Sequence, residues 1–260
     1  MSNSQADLSR RFGGVARLYG ESGASRLAST HAVVVGVGGV GSWTAEALAR
    51  CAVGRITLID LDHIAESNTN RQLHALGEEY GKAKVQAMAE RLRAIHPGCE
   101  VATIEEFVDA DNVEAVLPSA DLVLDCIDQV NAKAALVACC RHRSTPVYVS
   151  GAGGGRLDPT RIASGDLARI QGDPLLAKLR HKLRRDYGFP RETAGGRVPK
   201  FGVSAVYSDE PVRRPTATCA ADSGFVAGLA CAGYGSSVVV TASLGFALAA
   251  AAINDRVSSG

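Results

Sequence analysis

Residues 31–62 read HAVVVGVGGVGSWTAEALARCAVGRITLIDLD, and this stretch decides the fold. It predicts a buried strand over His31–Val35, a glycine turn, a helix over Ser42–Cys51 and a second buried strand over Arg55–Asp60. A run of β-branched residues suits a strand that is buried on both faces, as in a parallel sheet between layers of helices. The stretch therefore predicts half of a nucleotide-binding α/β fold.

The turn after the first strand contains the glycines that would contact a nucleotide. Glycine lets the backbone turn sharply and approach a phosphate, and the next helix offers its free N–H groups and positive dipole end. Asp60 follows about 20 residues later, where a carboxylate accepts hydrogen bonds from ribose hydroxyls. A tight turn without a ligand is the alternative. The predicted nucleotide contacts here are Gly36, Gly38, Gly39, Gly41 and Asp60.

Length and composition indicate an α/β domain without a disulfide framework. The chain has 260 residues, of which 46% are hydrophobic, and we expect a single domain over residues 1–260. Its formal net charge of +1 means that a nucleic-acid partner would need a local basic patch. Seven cysteines at irregular spacings indicate reduced thiols, and the lack of a C-x-x-C pair argues against a structural zinc site.

The two ends of the chain favour a cytoplasmic protein. The N-terminus is polar up to Arg11 and lacks the apolar core of a signal peptide. Residues 236–253 are long and apolar enough to cross a bilayer, but they are rich in Ala, Ser, Thr and Gly. We therefore interpret them as a buried C-terminal helix rather than as a membrane anchor.

A polar loop follows the second strand and leads into a helix predicted over residues 78–95. The outer phosphates of a bound nucleotide need cations, and an arginine and a lysine supply them. We predict that Asn68, Arg71 and Lys84 bind phosphate, with Lys82 as the competitor of Lys84. Surface residues without a ligand are the alternative.

The N-terminal arm, residues 8–27, has apolar residues at helical spacing and should pack beside the first strand. Arg11 or Arg17 of this arm could reach a phosphate. Solvated arginines on a capping helix are an equally good interpretation.

Residues 121–128, DLVLDCID, predict another buried strand that finishes in two carboxylates. Ligands of open α/β sheets bind at the carboxyl ends of the strands. We predict that Asp128 holds Mg²⁺ against phosphate oxygens, because magnesium takes one or two carboxylates together with phosphates and waters. Asp125 would instead cap or orient the turn.

Glycines also follow the next predicted strand, over residues 146–150. Residues 151–155 read GAGGG, which indicates the close approach of a ligand or of another backbone, with a flexible turn as the alternative. The other elements predicted in this part of the chain are a strand over residues 99–104 and helices over residues 110–117 and 131–143.

The second half of the chain breaks the alternation of strand and helix and carries basic charge. From Lys178 to Arg214 there are ten Lys or Arg and four Asp or Glu, around a helix predicted over Asp173–Tyr187 and a strand near residues 202–207. Such a concentration is typical of contacts with a phosphate backbone, whereas a solvated basic helix is the alternative. The predicted nucleic-acid contacts are Lys178, Arg180, Lys182, Arg184 and Arg185.

Four motifs occur in order: GVGGVGS, D-x-D-x4-SNTNRQ, GKAK and DCID. Together they resemble the ubiquitin-activating-enzyme-like (ThiF/MoeB/HesA) adenylating superfamily over about residues 10–165, a nucleotide-binding half that precedes a basic, substrate-facing half over about residues 166–260. The stretches RFGGVARLYGE and CAGYGSSVVVTASLGFALA extend the resemblance, over nearly the whole chain, to the branch of tRNA threonylcarbamoyladenosine dehydratases.

The resemblance implies an ATP-dependent, cytosolic homodimer. Its substrate would be a tRNA whose threonylcarbamoyladenosine side chain is closed into a ring through an acyl-adenylate. The implied phosphate loop contains Gly38 and Gly39, with Asp60 at the ribose. The implied catalytic and phosphate-binding set is Asn68, Arg71, Lys84, Asp128 with magnesium, and Cys231, whose role is linked to a cysteine-desulfurase sulfur-transfer pair. From the residues alone, Cys231 in its glycine turn fits either a reactive thiol or a small packing residue.

Two departures from the superfamily bear on the substrate and the site. Relatives that activate sulfur-carrier proteins have two C-x-x-C zinc pairs, which this chain lacks, and this argues against a ubiquitin-like protein substrate. Relatives also have an arginine where this chain has Gly14. Arg17, about one helical turn later, is the substitute that we predict.

Three other functions stay open at this point. Adenylation of the C-terminus of a ubiquitin-like sulfur-carrier protein uses the same chemistry, and Cys231 could accept the carrier. An NAD-dependent oxidoreductase fits the glycine turn and Asp60, but it has no use for the polar set from Asn68 to Asp128. A nucleotide sensor without catalytic activity is the third.

Overall fold

Seven strands form one sheet in the structure, a computed structural model that describes residues 6–213 and 234–258. In chain order they are β1 (His31–Val35), β2 (Arg55–Ile59), β3 (Glu100–Ile104), β4 (Leu122–Asp125), β5 (Val147–Ser150), β6 (Ile162–Asp166) and β7 (Ser204–Ser208). They lie in the order β3-β2-β1-β4-β5-β7-β6, and all neighbours are parallel except the antiparallel pair β6 and β7. The predicted mostly parallel sheet with an antiparallel C-terminal part is confirmed.

Helices cover both faces of this sheet, as predicted. Within the described ranges they are α1 (Leu8–Ser29), α2 (Gly41–Arg50), α3 (Lys84–Ile95), α4 (Val113–Val116), α5 (Val130–His142), α6 (Pro174–Asp186) and α7 (Val238–Ser258). α1, α2, α3 and α7 pack around Val34 and Leu124, whereas α4, α5 and α6 pack around Val33 and Val123. Because successive residues of a strand point to opposite faces, both sides of β1 and β4 have to be apolar.

The C-terminal helix α7 braces the glycine turn, because it packs on the start of α2. Gly245 permits this close contact, since a Cβ at this position would lie 2.6 Å from the carbonyl oxygen of Val40. The Thr44 hydroxyl of α2 donates a hydrogen bond of 3.2 Å to the Gly245 carbonyl oxygen. The residues that α7 buries lie along one side at a helical spacing and include Val240, Leu244, Leu248 and Ala252.

α7 covers most of the stretch that we interpret as a buried C-terminal helix. Among the helices described, it is the one with the length and hydropathy of a membrane span. Its contacts with α1, α2, β5 and β7 are those of a core helix, although Val239 and Phe246 on its outer side are exposed.

Three predicted boundaries are wrong by three residues or more, and one of them is the start of the helix predicted over residues 110–117, which begins at Val113. The helix predicted from residue 78 begins at Lys84, because Gly77–Glu79 forms a short 3-10 turn and the following Gly81 has a φ of +85°. The strand predicted over residues 121–128 ends at Asp125, whose carboxylate accepts a hydrogen bond of 3.0 Å from the Ile127 N–H and so turns the chain. β6, which is short and half exposed, is missing from the predicted elements.

Candidate active site

A cavity of about 740 Å³ opens at the carboxyl ends of β1, β2, β4 and β5. Its lining includes most of the residues predicted for the nucleotide site, from segments far apart in the sequence. Of the predicted set, the lining residues are Gly36, Gly38, Gly39, Asp60, Asn68, Arg71, Lys84 and Asp128. This is the edge of an open α/β sheet at which ligands bind.

The glycine turn has its shape because two of its residues cannot carry a side chain. Gly36 has a φ of +86°, and a Cβ on Gly41 would lie 1.8 Å from the Gly36 carbonyl oxygen. Gly41 does not line the cavity; it lets α2 begin directly beneath the turn. Gly38 and Gly39 are therefore the glycines that present backbone to a ligand, with the N-terminus of α2 behind them.

Asp60 connects the glycine turn to the cavity. Its Oδ2 accepts a hydrogen bond of 2.6 Å from the Val37 N–H, and its Oδ1 accepts one of 2.9 Å from the Asp62 N–H. Burial raises the pKa of Asp60, although Lys84 and both N–H groups favour the charged form. A carboxylate has further lone pairs for a ribose hydroxyl, so this residue can brace the turn and bind the sugar.

Two cations line the cavity, and hydrogen bonds hold both in place. Lys84 is almost fully buried, and its Nζ lies 2.6 Å from Asp62 Oδ2. Arg71 packs against Gly39 and donates from Nη1 to the Ser67 carbonyl oxygen at 2.7 Å and to Asn70 Oδ1 at 3.0 Å. These guanidinium and ammonium groups can stabilise charge on phosphates bound at the glycine turn.

The structure separates Lys84 from its competitor. Lys82 lies outside the cavity lining and pairs with Glu90 at 2.6 Å and with Glu79 at 3.1 Å. Asn68 is buried in the lining, and its side-chain oxygen accepts a hydrogen bond of 3.1 Å from the Ala65 N–H. That bond orders the loop that carries Arg71.

Asp128 lines the cavity, is half-buried and makes no ion pair within residues 6–213 and 234–258. No cluster of three or more His, Cys, Asp or Glu that could hold a metal occurs among these residues. One carboxylate fits Mg²⁺ when phosphates and waters complete the coordination. The donor set therefore fits a magnesium ion that arrives with a nucleotide.

Asp125 is instead part of a buried ion pair beneath the site. Its Oδ1 lies 2.9 Å from Nζ of Lys133, and both side chains are fully buried. The same ammonium donates to the carbonyl oxygens of Asp125 (3.1 Å) and Ile127 (3.0 Å). Burial raises the pKa of Asp125, with Lys133 opposing the rise. Asp125 thus orients the turn that leads to Asp128, and the role of Lys133 is absent from the sequence-based predictions.

The GAGGG segment forms a wall of the cavity and also packs closely on its neighbours. A Cβ on Gly151 would lie 2.5 Å from Asp173 Oδ2, and one on Gly153 would lie 2.9 Å from the Thr241 side chain. Asp173 Oδ2 accepts hydrogen bonds from the Ala152 N–H (3.1 Å) and from Arg156 Nη2 (3.0 Å). Its Oδ1 accepts one from the Leu176 N–H at 2.9 Å and so caps α6.

The two arginines of the N-terminal arm that were predicted to reach a phosphate, Arg11 and Arg17, do not line the cavity. Arg17 lies beside Gly13 and Gly14 on α1 and is not part of the lining. The first turns of α1 pack at the end of α3, where Arg11 donates hydrogen bonds to the carbonyl oxygens of residues 94 and 95. Cys231 lies outside the described residues, so its predicted role stays a prediction.

The five predicted nucleic-acid contacts on the basic helix α6 fall into three groups. Lys182 and Arg185 pair with Asp186, at 2.9 and 2.6 Å. Arg180 and Arg184 face a second cavity of about 360 Å³. Lys178 is exposed to solvent.

Known proteins are similar to this chain in sequence and in fold. The model of the ThiF family matches residues 9–252. The tRNA threonylcarbamoyladenosine dehydratase of Escherichia coli is 46% identical over 244 residues, which cover 91% of this chain and 90% of the relative. The enzyme of the same name from Haemophilus influenzae is 42% identical, over 91% and 89% of the two chains. The crystal structure of the E. coli dehydratase, TcdA, in complex with ATP superposes with a TM-score of 0.86 at 43% identity, over 97% of this chain and 96% of that chain.

Adenylating enzymes with other substrates match less of the chain. A molybdopterin-synthase adenylyltransferase from Haemophilus influenzae is 32% identical over 130 residues, which cover 50% of this chain and 53% of the relative.

Proposed function

The chain belongs to the ThiF family, and we propose that it closes the threonylcarbamoyl side chain of threonylcarbamoyladenosine in tRNA into a ring in an ATP-dependent dehydration. One observation carries the proposal. The glycine turn, Asp60, Arg71, Lys84 and Asp128 line a single cavity in a chain that matches the dehydratases over nine-tenths of its length. That set suits a nucleoside triphosphate more than a redox dinucleotide. The pyrophosphate of a dinucleotide is bound by the glycine turn and the helix that follows it, so hydride transfer needs no additional arginine and lysine at the phosphates.

The first step is adenylation. A carboxylate oxygen of the threonylcarbamoyl group attacks the α-phosphorus of ATP, an O–P bond forms, and the bond to the β-phosphate breaks to release pyrophosphate. The carboxylate is already ionised at neutral pH, so no general base is required. Arg71, Lys84 and the N–H groups of the glycine turn stabilise the charge that grows on the phosphates, and each such donor commonly contributes about 3 kcal/mol.

Magnesium is the metal that this donor set would take, with Asp128 as the protein ligand and phosphate oxygens as the others. When bound, it neutralises phosphate charge and holds the triphosphate in one geometry. Asp60 and the glycine turn then fix the nucleoside end of ATP.

The second step is ring closure. A nitrogen of the same side chain attacks the acyl carbon, a C–N bond forms, the bond to AMP breaks, and the nitrogen loses its proton. Because nucleophile and electrophile are tethered, orientation alone can provide an effective molarity of about 10⁵ M. The oxygen lost from the substrate leaves on AMP, so the net change in the tRNA is the loss of water.

Several properties are proposed on the resemblance alone. These are a homodimeric assembly, a cytoplasmic location, a single adenylating domain over residues 1–260, contact between Arg17 and the phosphates, and a sulfur-transfer partner that acts through Cys231. The basic helix α6, with Lys178 and its neighbours, is the surface that we assign to the tRNA.

The second candidate function is adenylation of the C-terminus of a ubiquitin-like sulfur-carrier protein. The similarity to a molybdopterin-synthase adenylyltransferase, over half the chain, favours it. Incubation with α-labelled ATP and either modified tRNA or a carrier protein separates the two. We expect AMP with the modified tRNA and none with the carrier. Formation of a carrier-adenylate with no response to tRNA would replace the first function by the second.

A further inference from the structure

A second cavity lies beside α6 and has an unusual charge. It has a volume of about 360 Å³ and is lined by Ala168, Arg169, Ile170, Gln171, Arg180, Arg184, Glu192, Arg197 and Val198. We call it the arginine groove. Four guanidinium groups face one carboxylate there, so the lining is strongly positive although the whole chain has a net charge of only +1.

The arginines of the groove are only partly balanced, by Glu192 in the lining and by Asp173, whose charge acts on Arg180. None of its four arginines forms an ion pair with a carboxylate in the described part of the chain. Arg180 and Arg184 lie one helical turn apart on α6, a spacing at which like charges repel. Nη1 of Arg180 is buried and has no hydrogen-bond partner among the described residues. Burial and the charge of Arg184 lower the pKa of Arg180, and the carboxylate of Asp173 opposes this shift.

Neutral groups hold two of the four arginines in place without cancelling their charge. Arg169 donates from Nε and Nη2 to the Val198 carbonyl oxygen at 3.3 and 3.2 Å. Arg184 donates to the carbonyl oxygens of Pro190 (3.2 Å) and Ala168 (3.4 Å), and its guanidinium lies 5.3 Å from the centre of the Phe201 ring. The groove therefore presents an excess of positive charge that an anion can balance.

The groove and the ATP cavity share one helix. Leu175, in the first turn of α6, lines the ATP cavity, and the groove begins at Arg180. At about 1.5 Å per residue, Arg180 and Arg184 lie about 8 to 14 Å along α6 from that wall. Stacked nucleotides rise by about 3.4 Å each, so a nucleic acid with one base in the ATP cavity can bring its backbone to the groove within a few nucleotides.

From the charge and placement of the groove, we infer that it binds a phosphate group of the tRNA backbone, with Arg180 as the central contact and Arg169 and Arg197 beside it. This deepens the proposed function, on which the identity of the nucleic acid rests. Arginine suits this role because its planar fork of donors matches phosphate oxygens. Free phosphate or pyrophosphate has the same chemistry and is the other source of the anion.

The test measures binding of the full chain to tRNA that carries threonylcarbamoyladenosine, without ATP, between about 50 and 200 mM salt, the range over which phosphate contacts are resolved. Arg180→Gln and Arg169→Gln are compared with Arg55→Gln, which removes the same charge from an arginine that pairs with Glu100 at 3.4 Å at the start of β2. For each groove variant we expect affinity to fall about tenfold at low salt. The slope of log affinity against log salt should become less negative by about 0.9 per lost phosphate contact. Arg55→Gln should keep the wild-type slope.

Thermal melting of the same variants supplies a second readout. Removal of Arg180 relieves its repulsion with Arg184, so we expect Arg180→Gln to melt at or above the wild-type temperature when no ligand is present. A clear fall in melting temperature would indicate a structural role and would overturn the inference. An equally strong tRNA affinity with an unchanged salt slope in Arg180→Gln would overturn it as well.

A third arm separates the sources of the anion. Inorganic phosphate and pyrophosphate are titrated into wild type and Arg180→Gln. Tight binding that depends on Arg180, together with an unchanged tRNA slope, would assign the groove to the free anion and contradict the inference. The proposed function fails independently, by the absence of AMP when the wild-type chain receives ATP and modified tRNA.

Discussion

The ATP cavity and the arginine groove differ in whether their cations form ion pairs with carboxylates. In the cavity, Lys84 lies 2.6 Å from Asp62, and beneath it Lys133 is paired with Asp125 inside the protein. In the groove, Arg184 contacts carbonyl oxygens and the Phe201 ring, and Nη1 of Arg180 has no hydrogen-bond partner in the described part of the chain. The lining of the first region contains more carboxylates than cations before a ligand arrives, so it suits a nucleotide that brings its own cation. In the arginine groove the positive charge is balanced only when an anion binds. We therefore expect anion binding at the groove to be more sensitive to salt than nucleotide binding in the ATP cavity.

The largest expected effect is at Asp173, the residue that caps the start of α6. This carboxylate binds the cavity wall at Ala152, pairs with the buried Arg156 and caps α6. Asp173→Ala leaves Arg156 buried without its partner, so the free energy of unfolding should fall by about 3 to 5 kcal/mol, measured by urea denaturation.

Asp186 supplies the control for that measurement. Its pairs with Lys182 and Arg185 are at the surface, and Asp186→Ala should lower the free energy of unfolding far less than Asp173→Ala does. If the two variants lost the same free energy of unfolding, the buried pair of Asp173 with Arg156 would stabilise the fold no more than a surface ion pair does.

Next in size are the two cavity cations. Arg71→Ala and Lys84→Ala should each slow ATP–pyrophosphate exchange in the presence of modified tRNA by about 10²- to 10³-fold, because each removes a charge from the phosphates in the transition state. Lys82→Ala is the matched control, since Lys82 pairs with Glu79 and Glu90 outside the cavity. Near-normal exchange in Arg71→Ala, with the fold intact, would remove Arg71 from the mechanism.

His74, whose pKa the nearby charge of Lys84 helps to lower, should make the stability of the fold depend on pH. It is 3% exposed, and neither ring nitrogen has a hydrogen-bond partner among the residues that the structure describes. Burial, followed by the charge of Lys84, lowers its pKa from 6.5 to about 4. The unfolded chain therefore binds a proton at this residue between about pH 6.5 and 4 that the folded chain does not. The contribution of neutral His74 to the free energy of unfolding is therefore fully present above pH 6.5. It is lost as the pH falls through 4, and the total loss is about 3 kcal/mol.

The measurement is urea unfolding of wild type and His74→Phe between pH 7 and 4. We expect a flatter pH profile for His74→Phe, and an unchanged one for a substitution of the exposed His181 on α6. A profile for His74→Phe that falls as steeply as that of the wild type would show that other groups control the acid response.

The smallest effect is expected from the basic residues of α6 that already have a partner. The double variant Lys182→Gln and Arg185→Gln removes two charges that share one carboxylate partner, Asp186. We expect its tRNA affinity to fall by no more than about threefold, less than for Arg180→Gln alone, because surface ion pairs contribute little. An equal or larger fall would mean that the number of charges, rather than the lack of a partner, decides tRNA binding.

The predictable parts of the molecule are those whose signals are local. The β-branched runs of β1 and β2 and the glycine turn fix strand, turn and helix within about 30 residues of sequence. The rule that ligands bind at the carboxyl ends of parallel strands then places Asp60 and Asp128 at one edge. This is why a sequence pattern could predict a nucleotide cavity.

The parts that could not be predicted depend on long-range contacts. The pairing of Arg156 with Asp173 and of Lys133 with Asp125 inside the core has no signature in spacing. α6 reads as one basic surface, and only the structure shows that Asp186 neutralises one side of it while Arg169 and Arg197 come from other segments to join Arg180. The sequence also does not show that the first turns of α1, the helix that carries Arg17, pack against the C-terminal end of α3.

The most direct test of the central claim follows one oxygen. Threonylcarbamoyladenosine in tRNA is labelled with ¹⁸O in its carboxylate and incubated with this chain and ATP, and the AMP is analysed by mass spectrometry. If the carboxylate attacks the α-phosphorus, AMP carries one ¹⁸O atom and the tRNA loses one water. AMP without label, or ADP in its place, would contradict adenylation.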